Sequence, residues 1–124
     1  MPTEPSPITL AEVVRRACEL VDPDDTDAAI GEYERAFEDA DEPIRAIDDL
    51  EERVGLVLSD LDPATNNASL SMVAAVTVYL GFRRDEFGAE PAKLLRLAAE
   101  AEWEGRPPEP VVEWLADRDI KVHR

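Results

Sequence analysis

Apolar residues recur along this chain at intervals of three and four, a spacing that predicts amphipathic helices and gives no run of strand-like alternation. Leu10, Val13, Val14, Ala17, Cys18 and Val21 fall on one face of a first helix. Thr9-Leu-Ala-Glu12 opens it as a capping box, each side chain serving an orphan amide of the first turn. Asp22-Pro-Asp-Asp-Thr breaks that helix and supplies caps for a second, on which Ile30, Tyr33 and Phe37 share a face. Pro43 suits the first position of a third helix, along which Ile44, Ile47, Leu50, Val54, Val57, Leu58 and Leu61 repeat. Arg45, Asp48, Asp49, Glu52 and Asp60 make its solvated side.

The next stretch changes character. After a turn at Asp62-Pro63-Ala-Thr-Asn-Asn, with Asn66, Asn67 or Ser69 as the cap, Leu70 through Leu80 is interrupted only by Ser71 and Thr77. A helix apolar nearly all round and too short to span a bilayer belongs at the centre of a bundle, with a subunit interface as the other way to cover its sides. Gly88 suits the residue just beyond a helix end, and Pro91 opens a fifth helix carrying Leu94, Leu95, Leu97, Ala98, Ala101 and Trp103. Gly105-Arg-Pro-Pro-Glu-Pro110 reads as a stiff connection to a short sixth helix, Val111 to about Asp117.

The fold class these patterns predict is all-α: a compact bundle of five to six helices around a largely buried fourth. Residues 1–8, with three prolines, read as a flexible lead-in, 9–119 as one helical domain and 120–124 as a tail. A chain of 124 residues buries a real core without disulfides or a structural metal, and leaves no room for a second domain. The opening MPTEPSPIT has neither the basic stretch nor the apolar run of a secretion signal or membrane anchor. The single cysteine, Cys18, allows no internal disulfide, suits a reducing cytoplasm, and lies on the apolar face as a small buried hydrophobe. The expected location is therefore cytoplasmic.

Charge narrows the choice of partners. The 29 acidic residues outnumber 13 basic ones, giving a formal net charge of −16 that repels nucleic-acid phosphates and anionic lipid. Arg15–Arg16 and Arg83–Arg84 are the only basic pairs, and each suits a helix surface or a helix C-terminal end. No direct nucleic-acid binding and no membrane partner are expected. Lys93 and Lys121 are the only lysines, which fits salt adaptation or an Arg- and Ala-biased genome, so part of the acidity concerns solubility.

The catalytic options are few. His123 is the only histidine and sits next to the end of the sequence, a poor place for the base of a Ser or Cys nucleophile. Zinc, haem and di-iron sites lack their His and Cys ligands, and the five glycines form no phosphate-cradling loop. No cofactor is expected. The Asp22–Asp27 cluster fails as a calcium loop, since Asp27 stands where glycine is needed and Tyr33 where the bidentate Glu is needed. Glu34, Glu38 and Asp41 of the second helix and Asp48, Glu51 and Glu52 of the third would hold magnesium if the two acidic rows faced each other. The spacing Glu38-x-x-Asp41 resembles that of helical nucleotide pyrophosphohydrolases over about two helices, without their doubled acidic motif. That resemblance implies a magnesium-dependent nucleotide phosphohydrolase; an amphipathic helix's solvated face accounts for the same acids.

The leading expectation is a non-enzymatic protein–protein interaction or regulatory domain, whose partner is another protein or a second copy in a homodimer. Its contact candidates are Met72, Val76 and Tyr79 on the fourth helix, with Trp103 and Trp114 either anchoring a partner or closing the last two helices over the proline-rich connection. Met72, Val76, Tyr79 and Phe82 are also a candidate small-ligand lining, although such a stripe is far more often core. A second binding reading is an acidic decoy of DNA that inhibits a nucleic-acid-binding protein through Asp24, Asp25, Asp48, Asp49, Glu51 and Glu52, which requires those acids on one face.

Overall fold

Thr9 starts helix α1, Leu10–Val21, by accepting the Glu12 amide on its hydroxyl at 3.2 Å. The computed structural model describes residues 8–62, 67–83 and 88–120. Two more first-turn amides of α1 find partners far along the chain: Leu10 N–H donates to Glu42 C=O and Ala11 N–H to Ala40 C=O. Ile8 C=O in turn accepts from Ile44 N–H at 2.8 Å, so Ile8, which the sequence assigns to the lead-in, packs against the core. All six apolar-face residues expected of this helix are buried. Each large one contributes about 1.5–3 kcal/mol by leaving water.

Asp22 ends α1 and organises the turn that follows. Its carboxylate accepts Asp27 N–H at 2.9 Å and Thr26 N–H at 3.1 Å, and these bonds, the Asp27 one foremost, lower its proton affinity. Asp27 then caps α2, Ala28–Ala36, accepting from Ala29 and Ile30. Ile30, Tyr33 and Phe37 are all buried, as their spacing predicts.

The expected third helix is split. A single 3-10 turn, Ile44–Ala46, is followed by extended backbone at Ile47 (φ −96°, ψ 115°), and α3 proper covers Leu50–Leu61. Ile44 and Leu50 both press on Gly81. On an unbroken helix, residues six apart point about 120° away from each other, so the break at Ile47 lets both side chains reach the same spot. The periodicity survives the break, which is why the sequence does not reveal it.

Helix α4, Ala68–Phe82, is capped by Asn67, whose side chain accepts Leu70 N–H at 3.1 Å. The buried Asp62 carboxylate accepts Asn67 N–H at 3.0 Å. α4 touches all five of the other helices and is the centre of the bundle. Its one fully buried polar residue, Thr77, donates to Val73 C=O and accepts from Tyr33.

Pro91 opens α5, Pro91–Glu102, as expected, whereas Gly88 lies six residues past the end of α4 and so does not close it. α5 ends in a Schellman arrangement: Glu104 is left-handed (φ 52°) and Gly105 N–H returns to Glu100 C=O at 2.8 Å. α6, Glu109–Ala116, ends the same way, with Asp119 left-handed (φ 59°) and Ile120 N–H on Leu115 C=O. Ile120 is thereby folded into the core instead of the tail. Trp114 turns toward α4, its indole N–H donating to Ser69 Oγ at 3.0 Å, while the Arg118 guanidinium lies 3.5 Å over its ring. Among the described residues there are six α-helices and no strand, only a lone bridge between Thr9 and Pro43, and no helix is long and apolar enough to cross a membrane.

Candidate functional site

α3 and α5 pack on α4 from two sides and leave part of it uncovered between them. Val78, Tyr79 and Phe82, which keep part of their surface open, repeat at three and four on α4 with the buried Ala75 and form the floor of an open groove of about 300 Å³. Ala98 and Ala101 of α5 line it, and a smaller neighbouring hollow of about 190 Å³ continues it along Val54, Gly55 and Leu58 of α3, with Ala74 and Val78 beneath. The groove exists because the facing positions are small: two alanines of α5, a glycine of α3 and two alanines of α4 cannot close the space that Leu or Met would fill. Phe82, at its end, is 66% exposed.

Two carboxylates stand on opposite walls, Glu51 of α3 and Glu102 of α5, and both border both hollows. Glu102 is exposed as a residue, and it borders the groove. Partial desolvation there, and then the charge of Glu51, raise its proton affinity above that of an ordinary glutamate. Arg83, just beyond α4, lies beside Phe82.

The sequence-derived candidates divide between this groove and other places. Tyr79 and Glu51 line it. Met72 and Val76 lie inside the core with no exposure, one stripe round α4 from the groove floor, so the monomer offers them to neither a partner nor a ligand. Trp103 is half-buried against the core, and Trp114 is buried by its contacts with Ser69 and Arg118. The residues missed were Ala75, Val78, Ala98, Ala101 and Glu102, for which the available signal was the alanine spacing on two helices, Ala74 and Ala75 against Ala98 and Ala101.

The six carboxylates considered for magnesium do not converge. Glu34 and Glu38 line a polar hollow of about 390 Å³ between α1 and α2, which Asp25, Arg15 and Arg35 also border. Glu51 lines the groove across the bundle, and Asp41, Asp48 and Glu52 are exposed. Among the described residues no three Asp, Glu, His or Cys side chains gather as a cation would need. The acids considered as phosphate mimics also fall into two groups. Asp24 and Asp25 follow the C-terminal end of α1, whereas Asp48, Asp49, Glu51 and Glu52 follow the segment bonded to its N-terminal end, about 18 Å away along the helix.

Cys18 is only 6% exposed at the bottom of a cleft bordered by Glu19, Asp22, Asp25 and Glu34. Burial, and then the charges of Glu34, Asp22 and Asp25, push its thiol up to about 12, the opposite of an activated nucleophile. His123 lies outside the described residues. No protein-family model, curated protein sequence or solved structure matches this chain.

Proposed function

We propose that this chain is a non-enzymatic interaction module that receives a segment of another protein in the groove between α3 and α5. The observation that carries the reading is the uncovered stripe of α4, ending in an exposed Phe82, on a helix otherwise buried by its neighbours. An apolar stripe framed by polar walls is the form of a docking groove, and a large aromatic at its end is the kind of side chain that anchors a complex. The scatter of the carboxylates and the inert Cys18 favour binding over catalysis. A cytoplasmic setting, which the free Cys18 thiol suits, belongs to the same proposal.

The test is an amide-shift titration of the isotopically labelled chain with a panel of amphipathic peptides of differing charge, together with light scattering for self-association. Shifts concentrated at Ala75, Val78, Phe82, Ala98 and Ala101, abolished by Phe82→Ser, support the reading. A monomer whose groove resonances respond to no member of the panel overturns it. A dimer that Phe82→Glu dissociates identifies the occupant as a second copy.

A further inference from the structure

Resting on that reading of the groove, we infer that its partner is a basic amphipathic helix: an apolar stripe flanked by Lys or Arg that meet Glu51 and Glu102. The shape of the site selects a helix. Floor and walls are α-helices whose backbone groups are already bonded within themselves, so an extended segment would bury amides and carbonyls with nothing to pair them. A docked helix satisfies its own backbone and offers side chains at i, i+3/i+4 and i+7. Val78 to Phe82, the accessible part of the floor, spans about 6 Å along α4, a little over one such turn.

Charge selects the sign. An acid stands on each wall, and Glu102 holds its proton more tightly than an ordinary glutamate, first through partial desolvation and then through the charge of Glu51. A cation from a partner offsets that charge. A second copy brings the same acids and the same net charge of −16, which opposes seating it in an acid-walled groove. Arg83 at the Phe82 end suits the negative, C-terminal end of the docked helix's dipole.

The experiment uses the full chain and three peptides of about 18 residues, long enough to be helical with little help. They share one leucine stripe and differ only in flanking it with Lys, Gln or Glu. The Lys helix should bind roughly tenfold tighter than the Gln helix, the Glu helix weakest, with the preference shrinking from about 0.1 M to about 1 M salt as the screening length falls to about 3 Å. The double variant Glu51→Gln, Glu102→Gln should lower the Lys-over-Gln preference about fivefold or more. A matched loss of charge at the exposed Glu32→Gln, Glu113→Gln, outside the groove, should lower it less than twofold. Equal loss from both pairs would show attraction by overall charge alone and overturn the inference. Equal binding of all three peptides in the groove would overturn it while leaving the interaction module standing. A dimer that Phe82→Glu dissociates would overturn it in favour of self-association, and a monomer whose groove takes up no peptide would remove the underlying reading as well.

Discussion

Tyr33 donates its phenolic hydroxyl to Thr77 Oγ at 2.8 Å with both side chains fully buried, tying α2 to the central helix. Thr77 donates its own hydroxyl to Val73 C=O, so two hydroxyls and a carbonyl form a closed chain in an otherwise apolar core. Burial raises the proton affinity of Tyr33, although the bond to Thr77 works against that shift. The threonine that interrupts the apolar run of α4 is thus the polar partner of the tyrosine, forty-four residues earlier.

Removing one member of this pair strands the other. Thr77→Val should cost about 2 kcal/mol, because a buried phenol then loses its acceptor, and Tyr33→Phe about 1 kcal/mol, because Thr77 keeps its bond to Val73. The double variant should lose less than the two costs added together, since neither polar group remains to be stranded. Urea unfolding of the four proteins measures the cycle. Strict additivity would mean that the hydrogen bond does not couple the helices.

Gly81 of α4 lies against Leu50 at the start of α3 and Ile44 of the turn before it. A Cβ there would overlap Leu50 Cδ2 and touch Ile44. Gly81→Ala should therefore destabilise by about 1 kcal/mol, overpacking outweighing the gain in helix propensity. Gly31→Ala on α2, where an added Cβ meets nothing, should stabilise by about 0.5–1 kcal/mol. In a Leu50→Ala background the sign at Gly81 should reverse, because the obstructing methyl is gone. Thermal unfolding of the single and double variants decides it, and a Gly81→Ala protein more stable than its parent would contradict the packing.

Much of this architecture is legible in the sequence because helix propensity, apolar spacing and caps agree. Asn67, Pro91 and the Ile30, Tyr33, Phe37 face all act where their residue types point. The sequence is blind where tertiary contacts choose among patterns of equal local quality. The break at Ile47 leaves the three- and four-residue spacing undisturbed, and only the shared contact of Ile44 and Leu50 with Gly81 reveals it. The groove is harder still, since it is made of what is absent. Ala75 and Ala98 are the buried core fillers that they read as, and that their small size leaves a groove shows only once two helices are seen to stand apart over a third.

The left-handed residue at the end of α5 offers a gain in stability. Glu104 adopts φ 52° so that Gly105 N–H can reach Glu100 C=O, and a glutamate in that conformation costs about 1–2 kcal/mol relative to glycine. Glu104→Gly should recover about 1 kcal/mol, the remainder being lost to the freer unfolded chain. Glu104→Ala keeps the Cβ and should recover nothing. Denaturation midpoints of the two variants separate backbone strain from the mere removal of an exposed acid.

Cys18 sets an alkaline limit on stability. Its thiol holds its proton to about 12 in the folded chain, against an ordinary value of 9.0, so between those values the unfolded chain has lost a proton that the folded chain keeps. Unfolding is then favoured as pH rises, by up to about 1.4 kcal/mol per pH unit for this one group. The contribution is fully present below about pH 9, and Tyr33, whose proton affinity burial also raises, acts in the same direction at higher pH. Cys18→Ala should be less stable than the parent at neutral pH, because it leaves a small cavity, yet lose less stability between about pH 9 and about pH 11. In the parent, reaction with a thiol reagent should be slow in buffer and rapid in urea, tracking exposure of a side chain that is 6% accessible when folded. Parallel stability profiles for the two proteins would show that the buried thiol is not the group whose ionisation opens the fold.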